Sequence, residues 1–120
     1  MSLKTNVRHA GDVAIVDLSG RITLGEGSGL VRSTIKDLTA AGHKSILLNL
    51  KDVSYIDSAG LGELVGAYAS VSHAGGQVKL LNVHSRVKDL LQVTKLYTVF
   101  VAFQDEAEAL RSFASGAAGA

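Results

Sequence analysis

The chain has no cysteine and no proline among its 120 residues, and aromatic side chains make up only 5% of it. The missing cysteine removes disulfides, thiol catalysis and cysteine-ligated zinc together. The missing proline removes a usual punctuation of linkers, and no internal repeat or shift of composition divides the chain. An excess of charge of one sign is lacking too: twelve Lys and Arg stand against eleven Asp and Glu, a net charge of +1. With no basic run and no interleaved aromatics, there is no electrostatic footprint for DNA or RNA, so direct nucleic-acid binding is not expected. Long apolar runs are absent as well, every such stretch being broken well short of a membrane span, and Met1 to Asn6 has no signal-peptide core. A cytoplasmic protein with no membrane partner is the expectation.

What is present is an ordinary globular composition, 47% hydrophobic and 19% charged, in a length that suits one domain with a real core. Leu3 to His9 alternates, and Val13 to Ser19 follows across Ala10-Gly11-Asp12, which reads as a hairpin. After Gly20-Arg21-Ile22-Thr23-Leu24, the flexible stretch Gly25-Glu26-Gly27 leads to Ser28, placed to cap a helix that carries Leu30, Val31, Ile35 and Leu38 and ends at Gly42. Ser45 to Leu50 is nearly continuous in apolar residues and too short for a helix, as a central strand covered on both faces would be.

A helix after Ser58 closes at Gly75-Gly76, a strand covers Val78 to Val83, and a short helix from Ser85 turns Val87, Leu90 and Leu91 inward. Tyr97 to Phe103 reads as a last strand, and Asp105 with Glu108 as a capping-box-like start of a helix burying Leu110 and Phe113. Residues 114 to 120 have nothing to bury and read as a flexible tail, which leaves 1–113 as the domain. The order β-β-α-β-α-β-α-β-α implies an α/β fold with a mixed β-sheet, parallel where amphipathic helices cross over. Strand order is not readable from it.

The segment Ile56-Asp57-Ser58-Ala59-Gly60-Leu61-Gly62 sets a polar pair between an apolar strand pattern and a helix whose Leu61, Leu64, Val65, Tyr68 and Ala69 share one face. Ser58 is expected at the N-cap, its hydroxyl on the surface beside unpaired N–H groups and the positive end of the helix dipole. Gly60 and Gly62 would leave that surface uncrowded, or else pack tightly on the neighbouring strand.

Enzyme readings fare poorly. A serine hydrolase elbow needs Gly-x-Ser-x-Gly, and here the first glycine position is Ile56; His9, His43, His73 and His84 do not stand where one would serve as base. Gly25-x-Gly27 and Gly60-x-Gly62 begin like dinucleotide loops, but Leu30 and Val65 stand where the third glycine belongs. The histidine spacings do not suit a metal pair. No catalytic residue, cofactor or metal is expected.

Gly20-Arg21-Ile22-Thr23, the strand Ile46 to Leu50, and Val53-Ser54-Tyr55-Ile56-Asp57-Ser58-Ala59-Gly60-Leu61-Gly62 together resemble the STAS family, the sulfate transporter and anti-sigma antagonist domain. The match runs on through Gly75 to Leu80 and Leu90 to Leu96, so it covers nearly the whole chain, with Asp-Ser-Ala-Gly-Leu-Gly its most specific part. The resemblance implies a single-domain bacterial anti-sigma factor antagonist, that is, an anti-anti-sigma factor of a partner-switching pathway in transcription regulation. It implies a phosphoprotein that catalyses nothing: a partner anti-sigma factor, itself an ATP-dependent serine kinase, phosphorylates Ser58, and a serine phosphatase reverses this. ATP would belong to the kinase. The unphosphorylated form would bind the anti-sigma factor and free the sigma factor. The implied partner surface comprises Thr23, Asp57, Ser58, Ala59, Gly60, Leu61 and Gly62. Many members carry acidic residues where this chain has Thr23 and Asn49. A non-catalytic STAS scaffold subunit of a stress-signalling complex is the alternative.

Overall fold

The computed structural model describes residues 3–23 and 28–119. Strands β1 (Lys4–Ala10) and β2 (Val13–Ile22) form the expected hairpin, and Gly11 takes φ +59, the left-handed region that a two-residue turn needs at its first central position. Then come α1 (Ser28–Ala40), β3 (Ser45–Ile56), α2 (Ser58–His73), β4 (Gln77–Leu81), α3 (Ser85–Thr94), a 3-10 turn η1 (Leu96–Thr98), β5 (Ala102–Phe103) and α4 (Glu106–Gly119). The Gly25-Glu26-Gly27 loop and the side chain of Ser28 lie outside the described residues.

The sheet order is β1-β2-β3-β4-β5, with β1 antiparallel and every later pair parallel. The three crossovers therefore advance in one direction. Right-handed connections then put α1, α2 and α3 on the same face. There Val31, Ile35, Leu38, Leu61, Leu64, Val71, Val87 and Leu91 pack on Val16, Ile46, Leu48 and Leu80. The opposite face holds a smaller core of Val13, Ile15, Leu47 and Leu81, closed by Ala109 and Phe113 of α4. β3 is central and covered on both faces, as its apolar run requires.

Several elements depart from the sequence expectation. β3 runs six residues beyond Leu50: the pairing steps from Asp17↔Asn49 to Ser19↔Asp52 and from Gly20↔Val53 to Arg21↔Tyr55, so β3 carries an extra residue at each step. These bulges break the alternation that would have marked the strand. The segment from Tyr97 to Phe103 is not one strand. Lys95, at φ +62, ends α3 in the left-handed conformation, and Thr98 and Val99 donate back to Lys95 and Leu96 in η1, leaving only two residues paired with β4.

Helix faces shift in the same way. Leu30 and Ala69 are exposed, and Ala67 and Val71 complete the buried face of α2. α4 passes Phe113 and continues to Gly119, across most of the segment expected as a tail; Ala114, Ala117 and Ala118 are strong helix formers.

Candidate functional site at the start of helix α2

The parallel strands β2 and β3 end side by side, with Ile22 paired to Ile56, and the chain turns from Ile56 into α2 at once. Asp57 is the residue still extended, at φ −105 and ψ −177, and its carboxylate Oδ1 accepts the Gly60 N–H at 2.7 Å. Asp57, not Ser58, is therefore the N-cap. Because β3 continues through Ile56, the last non-helical position falls one residue earlier than the apolar spacing suggested, and aspartate caps as well as serine does. Ser58 is the first residue of the helix and is exposed. Helix geometry gives the N–H groups of Ser58 and Ala59 no acceptor within the helix.

The two glycines have opposite environments. Gly60 is buried: a Cβ there would overlap the Ile22 carbonyl oxygen and sit 2.8 Å from the carbonyl carbon and 2.9 Å from Cγ2. It is required by packing, not by access. Gly62 is exposed, and a Cβ there would meet nothing within 4 Å. The Ile22 carbonyl also accepts the Asp57 N–H at 3.3 Å, so one backbone oxygen both anchors the cap and sets how closely α2 approaches β2.

Of the residues expected at a partner surface, Ser58 and Gly62 are exposed, Thr23, Asp57 and Ala59 are half-buried, and Gly60 and Leu61 are buried, Leu61 within the main core. Thr23 follows Ile22 directly, so the end of β2 brings it to the same edge as the cap. Asn49 is not at that edge. It lies seven residues back along β3, where its amide donates to Asp17 at 2.8 Å and its carbonyl oxygen accepts from Asn82 at 2.9 Å. Sequence reasoning missed Ile22 and the pair formed by Arg21 and Tyr55, whose guanidinium lies 5.1 Å from the ring centroid one register step before Ile22–Ile56. Only the bulged register brings Arg21 and Tyr55 opposite, and nothing in the spacing announces it.

The site has a partial charge of one sign. No acidic side chain occurs in the first turn of α2, so the helix dipole there is met by the cap carboxylate. The histidines are engaged elsewhere. Nε2 of His84 donates to the Val53 carbonyl at 2.6 Å, which fixes the proton on that nitrogen because a carbonyl only accepts; the His9 and His43 rings meet at a tilt of 37° with centroids 4.9 Å apart; His73 ends α2 at its far end. What this arrangement can do is present a hydroxyl, two N–H groups and an uncrowded glycine to another molecule.

The family model for the STAS domain matches residues 4–109. The chain belongs to the STAS family. Among curated STAS relatives it is 30% identical over 111 residues to the anti-sigma F factor antagonist of Paenibacillus polymyxa, covering 92% of this chain and 94% of that protein. It is 32% identical over 96 residues to the anti-sigma-B factor antagonist of Bacillus subtilis, covering 80% and 86%. The same fold occurs in the Bacillus cell fate determinant SpoIIAA solved in its phosphorylated form, with a TM-score of 0.71 at 20% identity over 91% of this chain and 98% of that one. Among the described residues of this STAS domain no helix is long and apolar enough to cross a membrane.

Proposed function

We propose that this STAS domain is an anti-sigma factor antagonist that works by binding, with Ser58 as its phosphorylation switch. In this reading the unphosphorylated protein holds an anti-sigma factor and so frees a sigma factor. The anti-sigma factor is a serine kinase that carries its own ATP and modifies Ser58, and a serine phosphatase reverses the modification. The observation that carries the reading is the exposed Ser58 at the first position of α2, on a helix start with no acidic side chain in its first turn and with open space at Gly62. The names of the curated relatives, both antagonists of anti-sigma factors, support the same class.

The physics of the site favours a switch by charge. A phosphoryl group adds about −1.5 to −2 charge and three acceptor oxygens, and the first-turn N–H groups and helix dipole tolerate it within the protein itself. Against a partner surface fitted to a neutral hydroxyl, the same group beside the Asp57 carboxylate costs several kcal/mol in desolvation and repulsion, roughly a hundredfold or more in affinity.

The test is calorimetry of wild type, Ser58→Ala, Ser58→Asp and enzymatically phosphorylated protein against a kinase-type anti-sigma factor from the same organism. Ser58→Ala should bind without becoming phosphorylated, Ser58→Asp should bind more weakly, and the phosphorylated protein weakest. Equal affinities for the modified and unmodified wild type, or phosphate on another residue only, would sink the switch and favour a scaffold subunit of a signalling complex.

A further inference from the structure

A cleft of about 940 Å³ opens beside the short edge strand β5, between α3 and η1 and at the carboxyl ends of β4 and β5. It plays no part in the Ser58 switch. Its floor is apolar: Val83, Leu91 and Phe100 are buried, and Phe100 meets Tyr68 edge-to-face with centroids 5.5 Å apart. Tyr97, 54% exposed, stands as an aromatic wall of the cleft. The cleft exists because β5 is only two residues long and Lys95 turns the chain sharply into η1, so neither a longer strand nor a further helix fills the space over α3.

The polar part of the lining is sparse and of one sign. Lys88, Leu91 and Gln92 are spaced i, i+3 and i+4 along α3, so an ammonium and an amide stand above the apolar floor on one side of that helix. Gln104 lies at the opposite end, where its amide donates to the Val83 carbonyl at 3.0 Å and ties together the segments that follow β4 and β5. Lys88 is the one charged side chain of the lining, and among the described residues it has no salt bridge. A concavity of this size, apolar with a few placed polar groups at the carboxyl edge of parallel strands, has the make-up of a small-molecule site.

We infer that this cleft binds a monoanionic amphiphile, a carboxylate with an extended apolar body such as a medium-chain fatty acid, with the carboxylate at Lys88 and Gln92 and the chain along Leu91, Phe100 and Tyr97. A neutral apolar molecule would leave Lys88 unused, and a cationic one would face it. A polyanion would find one cation where it needs several.

The probe is decanoate, titrated below its micelle concentration into isotopically labelled full-length protein while amide shifts are followed, with decylamine as the charge-reversed control. Saturable shifts should centre on Lys88, Gln92 and Ala102. Lys88→Met keeps the aliphatic stem and should weaken decanoate binding by up to about fivefold, as losing one exposed ion pair does. Decylamine should bind wild type at least as weakly as decanoate binds that variant. Ala102→Trp fills the cleft and should abolish saturation; Lys88→Met, on an exposed helix position, folds whether or not the tryptophan is tolerated. Absence of saturation at millimolar decanoate, shifts centred on another face, or equal affinity for decanoate and decylamine overturns the assignment.

Discussion

Helices α2 and α4 both follow an aspartate whose carboxylate accepts the N–H three residues on, Asp57 from Gly60 at 2.7 Å and Asp105 from Glu108 at 2.9 Å. Beyond that bond they differ. The first turn of α4 carries Glu106 and Glu108, and Glu106 is held at 2.8 Å by Arg8, which also binds Asp17 at 2.6 Å. The first turn of α2 holds Ser58, Ala59 and Gly60, with no acid of its own. One helix start is saturated by its own carboxylates and tied down by an arginine from β1. Among the described residues, the other has the cap carboxylate and no acidic side chain in its first turn, so its positive end is open to an added anion. That difference separates a structural helix start from one that can be used.

Substitution at the glycines breaks the comparison most severely. Gly60→Ala drives a Cβ into the Ile22 carbonyl and should cost about 3 kcal/mol in urea denaturation, as overpacking against backbone does. Gly62→Ala, in open space, should instead gain up to about 1 kcal/mol from helix propensity. Equal responses at the two positions would mean that the Ile22 stop does not exist.

Removing each cap sharpens the contrast at lower energy. Asp57→Ala and Asp105→Ala should each lose about 1 kcal/mol of stability. Only the first should change the rate at which the partner kinase modifies the protein, measured by phosphate incorporation, and a matching change in Asp105→Ala would show that the effect comes from general loosening.

Acid should act on the α4 side through Asp17. The Asp17 carboxyl is held below its ordinary 3.8 chiefly by its hydrogen bond to the Arg8 guanidinium, with Asn49 also donating to it. A carboxyl depressed in the folded state adds stability that is complete above the unfolded value and fades as pH falls through the folded one. Denaturation midpoints should therefore drop from about pH 5 to pH 3 by an amount worth roughly 1 kcal/mol or less, since Asp17 and Arg8 are partly exposed, and Asp17→Asn should flatten that limb. An undiminished slope in Asp17→Asn would assign it to other carboxyls. The smallest effect belongs to the far end of α4. Deleting residues 115–120, small and uncharged, should leave the melting temperature within about one degree, and a fall of many degrees would show that the segment packs on the domain.

The alternation of apolar periods made the element order legible, because Ser45 to Leu50 and the helix after Ser58 have periods that suit only one kind of element each. The segment Asp57 to Gly62 could be singled out for the same reason. What stayed hidden depended on partners distant in sequence. The far half of β3 is a strand only through its bulged pairing with β2, and its Lys51, Asp52 and Ser54 read as loop by themselves. The β-branched and aromatic residues after Lys95 argue for a strand, yet one left-handed residue there sends the backbone into a 3-10 turn. Whether Gly60 gives access or packs could not be told from its neighbours, since the deciding atom belongs to Ile22, 38 positions earlier. Asn49 looked like a loss of acidity near the partner surface. It is a donor to Asp17, a place where a second carboxylate would be repelled.

The Ile22 carbonyl carries a kinetic consequence. Because it holds the Asp57 amide and stops α2 at Gly60, the first turn is braced on β2 within the domain itself. If the proposed partner docks on this preformed turn, its association rate should fall in the usual range of about 10⁵–10⁷ M⁻¹s⁻¹. A charge added to such a fixed mould alters how long a complex lasts far more than how often it forms. The cell would read the modification as a residence time.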